Sequence, residues 1–521
     1  MNLELDVFRN LFISIAEEMG IVLRRTSFSA NIKERRDYSC AVYDAGGETI
    51  AMGDHMPVHL GAMPAAVRET LASLTLEPGD VAILNDPFRG GTHLPDITTV
   101  SAVFAEGGER PEFYLATRAH HADVGGMAPG SMPLAKEIFQ EGLRIPPVKL
   151  VRGGAMDEQI LAMILANVRT PEERHGDLGA QIAAHRSGER RLAEARAKYG
   201  PARLRTAMEQ LTDYAERMMR ARIAKIPDGE YLFEDLLDDD GFDARDIRIA
   251  CRLRIRAEEA DVDFSASDDQ VPGGVNANRA VTVSATMYCF RCLIREDVPY
   301  NAGLMRPVHV VTRPGSIVDA QAPASVAAGN VETSQRLVDV VMGALAQAET
   351  DAIPAASSGT MNNLSFGGVA PSSGEPFAYY ETVAGGAGAS TAADGAPARH
   401  THMTNSLNTP IEALERLYPV RARRYAVRRN SGGAGRFRGG DGVVREIEFL
   451  TDVEANLLSE RRVRGPWGLR GGSEGAAGRN LRNGEPAPAK GKIELRAGDR
   501  LRIETPGGGG FGEAKAEPTE R

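Results

Sequence analysis

Two imidazoles and two carboxylates recur within a short span, at His93, Asp96, His120 and Asp123, and these are the donor types from which proteins build sites for divalent cations. The first pair ends the stretch Asn85-Asp86-Pro87-Phe88-Arg89-Gly90-Gly91-Thr92-His93-Leu94-Pro95-Asp96, which Pro87 and Pro95 hold extended after the apolar run Val81 to Leu84. Ile97 to Phe104 is β-branched, Ala105 to Pro111 is a glycine-containing turn, and Glu112 to His121 reads as a second strand. Together they predict an antiparallel hairpin. Pairing Phe104 with Glu112 sets Asp96 opposite His120 and brings His93 near Asp123, just past the paired ends. Facing β-carbons lie about 5 Å apart, and a cation held at about 2.0–2.2 Å fits between them. A slip of register exchanges His120 for His121, because neighbours on a strand point to opposite faces; the spacing leaves the two open. The alternative is loop residues satisfying backbone groups, with His121 and Asp123 as an ordinary hydrogen-bonded pair.

The elements around the hairpin predict an α+β fold. Leu5, Phe8, Leu11, Phe12, Ile15 and Met19 recur at helical spacing. Ser39 to Tyr43 and Thr49 to Met52 read as strands around an Asp44-Ala45-Gly46-Gly47 turn. Five regions follow: 1–170, an N-terminal α/β region carrying the cluster; 171–226, a helical segment with one buried stripe; 227–420, a mixed α/β region with a helix over Ser334 to Ala348; 421–512, a glycine-rich β region; and 513–521, a disordered tail. With 56 glycines and 6% aromatics, turns and close backbone approaches are expected to outnumber long helices.

A net charge of -10 from 61 basic and 71 acidic residues argues against nucleic acid and against an anionic membrane surface as partners. Four cysteines in 521 residues suit a reducing compartment, and the absence of a long apolar run suits the cytoplasm. Other motifs carry less. His55 and His59 have the spacing of a helical zinc pair, but Pro57 is expected to break that helix. His400 and His402 would share one face of a strand, for substrate or structural contacts. Cys289-Phe290-Arg291-Cys292 reads as buried thiols, and Gly507 to Gly510 as a tight turn near an interface. Ser357-Ser358-Gly359 lacks a nucleophile elbow, and no Gly-x-x-x-x-Gly-Lys-Ser/Thr loop is present.

Several long blocks occur in order: Asn31-Ile32-Lys33-Glu34-Arg35-Arg36-Asp37-Tyr38-Ser39-Cys40, Gly90 to Asp96, His120-His121-Ala122-Asp123-Val124-Gly125-Gly126, Glu141-Gly142-Leu143-Arg144-Ile145-Pro146-Pro147, Gly359-Thr360-Met361-Asn362-Asn363, His400-Thr401-His402-Met403-Thr404-Asn405 and Thr505 to Gly510. By these the chain resembles the hydantoinase B/oxoprolinase family over nearly its whole length. The resemblance implies a hetero-oligomer in which a hydantoinase A-type partner binds ATP and phosphorylates a small cyclic amide, and the B-type subunit completes ring opening at a divalent metal: zinc, manganese or iron. It matches His93, Asp96 and one of His120 or His121 to metal ligands, with Asp37 as a further ligand from the Arg-Arg-Asp block. Asp123 or Glu141 would accept a proton. A subunit of an ATP-dependent ketone carboxylase, and a non-catalytic structural subunit, are the alternatives.

Overall fold

The computed structural model describes residues 3–53, 55–349 and 351–514; the tail expected from 513 falls outside these apart from its first two residues. The chain opens with the helix Leu3–Thr26, whose Leu5, Phe8, Phe12, Ile15, Met19 and Leu23 form one buried stripe. The stripe packs on the helices Pro171–Tyr199 and Pro201–Ile223. These two helices meet at Gly200, which takes a φ of 80°. At 24, 29 and 23 residues, these helices correct the expectation that long helices would be few. The glycines are concentrated in turns and in the C-terminal packing described below, and a composition average does not register that segregation.

Seven strands form the first sheet: β1 (Tyr38–Asp44), β2 (Thr49–Met52), β3 (Val81–Leu84), β4 (Asp96–Phe104), β5 (Pro111–His120), β6 (Val148–Arg152) and β7 (Ala155–Met156). Their order is β2-β1-β5-β4-β3-β6-β7, with every neighbour antiparallel. The central strands are buried on both faces. Helix Pro171–Tyr199 covers one face and helix Pro57–Ser73 the other. Pro57 begins that second helix instead of breaking one; the N–H groups of a first turn have no intrahelical acceptor, so proline is tolerated there. Helix Pro57–Ser73 crosses helix Arg279–Cys292 closely at Gly61, where a Cβ would lie 2.4 Å from the Ser284 Cα.

The second sheet contains β8 (Gly229–Asp239), β9 (Arg245–Arg256), β10 (Glu259–Asp263) and β11 (Val308–Val311), in the order β11-β10-β9-β8. Ile247, Ile249, Cys251, Leu253 and Ile255 alternate inward along β9 and meet the helix Ser334–Ala348, which has its expected bounds. A π-helical turn, Gly329–Thr333, leads into that helix. His400 and His402 lie in an irregular segment, not a strand, with His402 at a φ of 60°. Cys289 is buried as expected, whereas Cys292, at the helix end, is exposed.

The remaining strands are β12 (Asn363–Val369), β13 (Pro376–Glu381), β14 (Val420–Arg428), β15 (Gly442–Phe449), β16 (Val453–Leu458), β17 (Arg479–Arg482), β18 (Glu485–Ala487), β19 (Lys490–Leu495) and β20 (Arg500–Glu504). They form two sheets, β13-β12-β16-β19 and β14-β15-β20-β17-β18. The pairing of β12 with β16 ties residues before 420 to residues after 421. Gly507 to Gly510 does not form the expected tight turn. It is a buried strip packed against three other stretches of backbone, where added Cβ atoms would lie 1.9 to 2.1 Å from the carbonyl oxygens of Ser431 and Ala434, of Ala387, and of Trp467.

His185 joins the helix Pro171–Tyr199 to β4, with Nε2 at 2.8 Å from Thr99 Oγ1 and Nδ1 at 2.8 Å from Ser101 Oγ. Burial pushes its pKa down to about 3. Because an unfolded chain takes up the proton near pH 6.5, the stability His185 supports is complete above that pH and is lost as pH falls toward 3, at about 1.4 kcal/mol per unit. Calorimetric Tm should fall more steeply between pH 6.5 and 4.5 in the wild type than in His185→Gln; parallel pH profiles would refute the assignment.

Candidate metal centre

The hairpin register places the donors. Asp96 pairs with His120, Thr98 with Arg118 and Val103 with Phe113, after which a bulge sets Phe104 opposite Pro111 and not opposite Glu112. The irregularity lies at the turn end of the hairpin and leaves the pairing at Asp96 intact. Because side chains alternate along a strand, Asp96, Val100, Ala116 and His120 face helix Pro57–Ser73, whereas Thr99, Ser101, Thr117 and His121 face helix Pro171–Tyr199. His93 precedes β4 in a tight turn held by Asp96 N–H donating to the His93 carbonyl at 3.1 Å. Asn85 anchors the turn by donating to the Leu94 and Leu143 carbonyls at 2.8 and 2.9 Å, and Asn278 donates to the carbonyls of Gly91 and Thr92 at 3.2 and 2.8 Å.

His93, Asp96 and His120 converge, with one donor atom from each lying within 4.8 Å of the others. They are 0, 0 and 3% exposed. His93 Nε2 stands 3.1 Å from Asp96 Oδ1, and the His93 and His120 rings meet edge to face at 5.1 Å. His120 stacks on Tyr380, centroids 4.5 Å apart and planes 9° from parallel. Its Nδ1 lies 3.0 Å from Asn31 Nδ2, and the Asn31 oxygen accepts from the buried Arg35 guanidinium at 3.2 Å. Oδ2 of Asp96 accepts from Thr92 Oγ1 at 2.6 Å and from Asn330 Nδ2 at 3.3 Å, and faces His59 Nε2 at 3.4 Å.

The charges follow from these neighbours. Burial disfavours the Asp96 carboxylate, but His93 and His59 together outweigh it and hold its pKa well below the ordinary range. For His93 burial acts downward and is outweighed by Asp96, with Glu141 and Asp37 adding to the rise. His120 goes the other way: burial, reinforced by His93, drives its pKa well below the ordinary value, so its ring is neutral and its lone pair available to a ligand. Asp37 is raised by burial against the pull of Arg35 and His59, and Glu141 is raised by burial against donors from Ser325, Ala327 and Val326.

The other residues singled out from the sequence have separate placements. His121 turns away from the cluster, with Nε2 3.1 Å from Gln181 Oε1. Gln181 Nε2 already donates to the Ile97 carbonyl and to Thr117, so its oxygen accepts and His121 carries the proton on Nε2. Asp123 is taken up by Arg169: Oδ2 pairs with the guanidinium at 3.0 Å, and Oδ1 accepts from the N–H groups of Arg169 and Gly125. Asp37 is buried, and its carbonyl accepts from His120 N–H at 3.0 Å, but its carboxylate is not in the group within 4.8 Å. Glu141 is buried with Oε1 held by Ser325 and by the N–H groups of Val326 and Ala327. His59, Thr92, Asn330, Asn31 and Tyr380 are neighbours for which the sequence predicts no role at this site. For His59 a signal exists in its spacing from His55, but Pro57 between them has the look of a breaker; Asn330 and Tyr380 lie hundreds of residues from the hairpin and carry no local signal.

A cation suits these residues. His93 Nε2, Asp96 Oδ1, His120 Nε2 and Glu141 Oε2 are buried without a hydrogen-bond partner among the described residues. Buried polar atoms are normally satisfied, and the first three belong to the converging group, whose imidazole and carboxylate chemistry matches zinc, manganese or iron. A cation on His120 Nε2 would leave the ring proton on Nδ1, so the Asn31 carboxamide would have to turn its oxygen from Arg35 to that proton.

Known proteins share this sequence and fold. The sequence matches the hydantoinase B/oxoprolinase family over residues 1–514. It is 39% identical to 5-oxoprolinase 1 of Arabidopsis thaliana across 98% of this chain and 42% of that protein, so it spans about two fifths of the length of the 5-oxoprolinases it matches. It is 31% identical to the putative D-/L-hydantoinase B-type subunit of Pseudomonas sp. strain NS671, covering 98% of this chain and 88% of that one. The fold superposes on the crystal structure of the ATP-dependent caprolactamase from Pseudomonas jessenii with a TM-score of 0.91 and 32% identity, covering 98% of this chain and 91% of the other. With sequence and fold in agreement, the chain belongs to the hydantoinase B/oxoprolinase family.

Proposed function

We propose that this chain is the metal-carrying subunit of an ATP-dependent cyclic-amide hydrolase, acting with a hydantoinase A-type partner that binds ATP and activates the amide oxygen. The observation that carries the reading is the convergence of His93 Nε2, Asp96 Oδ1 and His120 Nε2 in a buried group with no competing hydrogen bonds among the described residues. The names of its relatives, 5-oxoprolinase, D-/L-hydantoinase and ATP-dependent caprolactamase, support the substrate class. A divalent cation at His93, Asp96 and His120, with Asp37 beside them, would polarise a substrate oxygen and acidify water.

The protein's own groups manage the proton. Glu141 has one oxygen fixed by three donors and the other unpartnered among the described residues, and it is charge-coupled to His93. It accepts the proton released when water adds to the amide carbon. The C–N bond then breaks as the ring nitrogen takes that proton from Glu141, and the phosphoryl group on the former amide oxygen leaves as inorganic phosphate when a second water hydrolyses the open-chain acyl phosphate to the acid. Both Asp123 oxygens are engaged by Arg169 and Gly125, so of the two carboxylates Glu141 is the better acceptor and Asp123 braces the loop after β5.

Elemental analysis of the purified chain should find a divalent metal, and His93→Ala should abolish it while far-UV circular dichroism is unchanged. With the ATP-binding partner present, hydrolysis of a hydantoin or 5-oxoproline should require ATP and fall at least about 100-fold in His93→Ala. Wild-type rates in a folded His93→Ala protein would sink the proposal. Glu141→Gln should lower turnover by about 100- to 10,000-fold with metal content retained. Asp123→Asn should instead lower Tm and leave the metal in place, as measured by calorimetry and elemental analysis.

A further inference from the structure

Asp96 is satisfied very unevenly. Thr92, Asn330 and His59 all address Oδ2, while Oδ1 stands 3.1 Å from His93 Nε2 and has no hydrogen-bond partner among the described residues. Of the three side chains on Oδ2, His59 is the one among the described residues whose second ring nitrogen continues the chain of hydrogen bonds to a further element. It lies in the first turn of helix Pro57–Ser73 and is 1% exposed. Its Nδ1 is 3.1 Å from Ser39 Oγ on β1, and Ser39 Oγ in turn accepts the N–H of Met56, the residue before the helix, at 3.2 Å.

The direction of this chain follows from what each group can do. An ionised carboxylate only accepts, so His59 presents N–H at Nε2; the Ser39 hydroxyl can then give its proton to Nδ1 while its oxygen takes the Met56 N–H. Helix start, β1 and β4 are thus linked through one imidazole. His59 is not among the residues whose donor atoms lie within 4.8 Å of one another, so it stands behind Asp96 and does not share the cation.

We propose that His59 is a positioning residue for the cation site: by holding Oδ2 of Asp96 against Ser39 and the helix start, it keeps Oδ1 directed at His93 and His120 and so sets how tightly a divalent ion is gripped. The proposal rests on reading the cluster as a cation site. Partners that orient a ligating side chain commonly change metal affinity by about 10- to 100-fold when removed.

The test is zinc affinity of the full chain, measured by competition with a chromogenic chelator, with thermal unfolding of the zinc-free proteins as the check on folding. His59→Leu, which keeps bulk and removes both nitrogens, should weaken zinc binding by about 10- to 100-fold. His59→Gln, whose amide can still donate to Oδ2, should recover most of the affinity. Ser39→Ala, one link further back, should lose affinity less than His59→Leu, and it serves as the deciding variant if His59→Leu does not fold. A folded His59→Leu with wild-type affinity, a Gln variant as weak as the Leu variant, or a Ser39→Ala protein indistinguishable from wild type would each overturn the positioning role while leaving the cation reading intact. A wild-type chain with no zinc affinity would overturn both.

Discussion

A carboxylate removed from water must be compensated by donors or cations around it, and Asp96 is buried completely yet held well below the ordinary carboxylate range. Its compensation comes from separate parts of the chain: Thr92 and His93 from the turn before β4, His59 from the covering helix Pro57–Ser73, and Asn330 from the π-helical turn ahead of the helix Ser334–Ala348. Removing one such partner leaves a buried charge short of a donor, so each is constrained in position. The arrangement still leaves one carboxylate oxygen and two imidazole nitrogens unspent among the described residues, which is the condition a cation site requires.

The first sheet gives that constraint its rigidity. The two central strands are buried on both faces, and each covering helix contributes polar side chains as well as apolar ones. On one side His185 and Gln181 bond Thr99, Ser101, Thr117 and the Ile97 carbonyl, fixing the hairpin's register from behind. On the other side Met63, Ala66 and Val67 pack on Val100 and Ala116, bringing the helix start, and with it His59, over Asp96. A one-residue slip would exchange every side chain between the two faces, setting His121 among the donors and His120 against Gln181.

More distant parts of the chain hold the other end of the site. Arg461 pairs with Asp235 on β8 and with Asp339 in the helix Ser334–Ala348, at 2.6 and 2.7 Å, and Arg336 of the same helix pairs with Asp235 at 3.0 Å. Arg336 and Arg461 are buried, and breaking such a pair costs several kcal/mol because a charge is stranded. This network fixes the helix whose preceding turn delivers Asn330. Tyr380 arrives from β13 in the third sheet to stack on His120, and Arg35, bonded to the Tyr380 carbonyl and to Thr382, holds that sheet against the segment carrying Asn31.

The hairpin and the pairing of Asp96 with His120 were legible because both rest on local rules: two β-branched runs, a glycine turn between them, and a period of two. The bounds of the helix Ser334–Ala348 and the stripe of the first helix were legible for the same reason. Long helices are underestimated by a glycine content averaged over a chain that segregates it, and Gly507 to Gly510 misleads because a buried backbone contact leaves the same residue signature as a turn. His120 and His121 could not be separated from sequence, since adjacent residues share every local property and differ only in the face they take. Thus the amino-acid sequence by itself determined the donor types, the strand pair that carries them and the family. Only the tertiary structure decided which histidine joins His93 and Asp96, that Asp123 is claimed by Arg169, and that His59, Asn330 and Tyr380 complete the surroundings, because those choices depend on which surface packs against each face of the sheet.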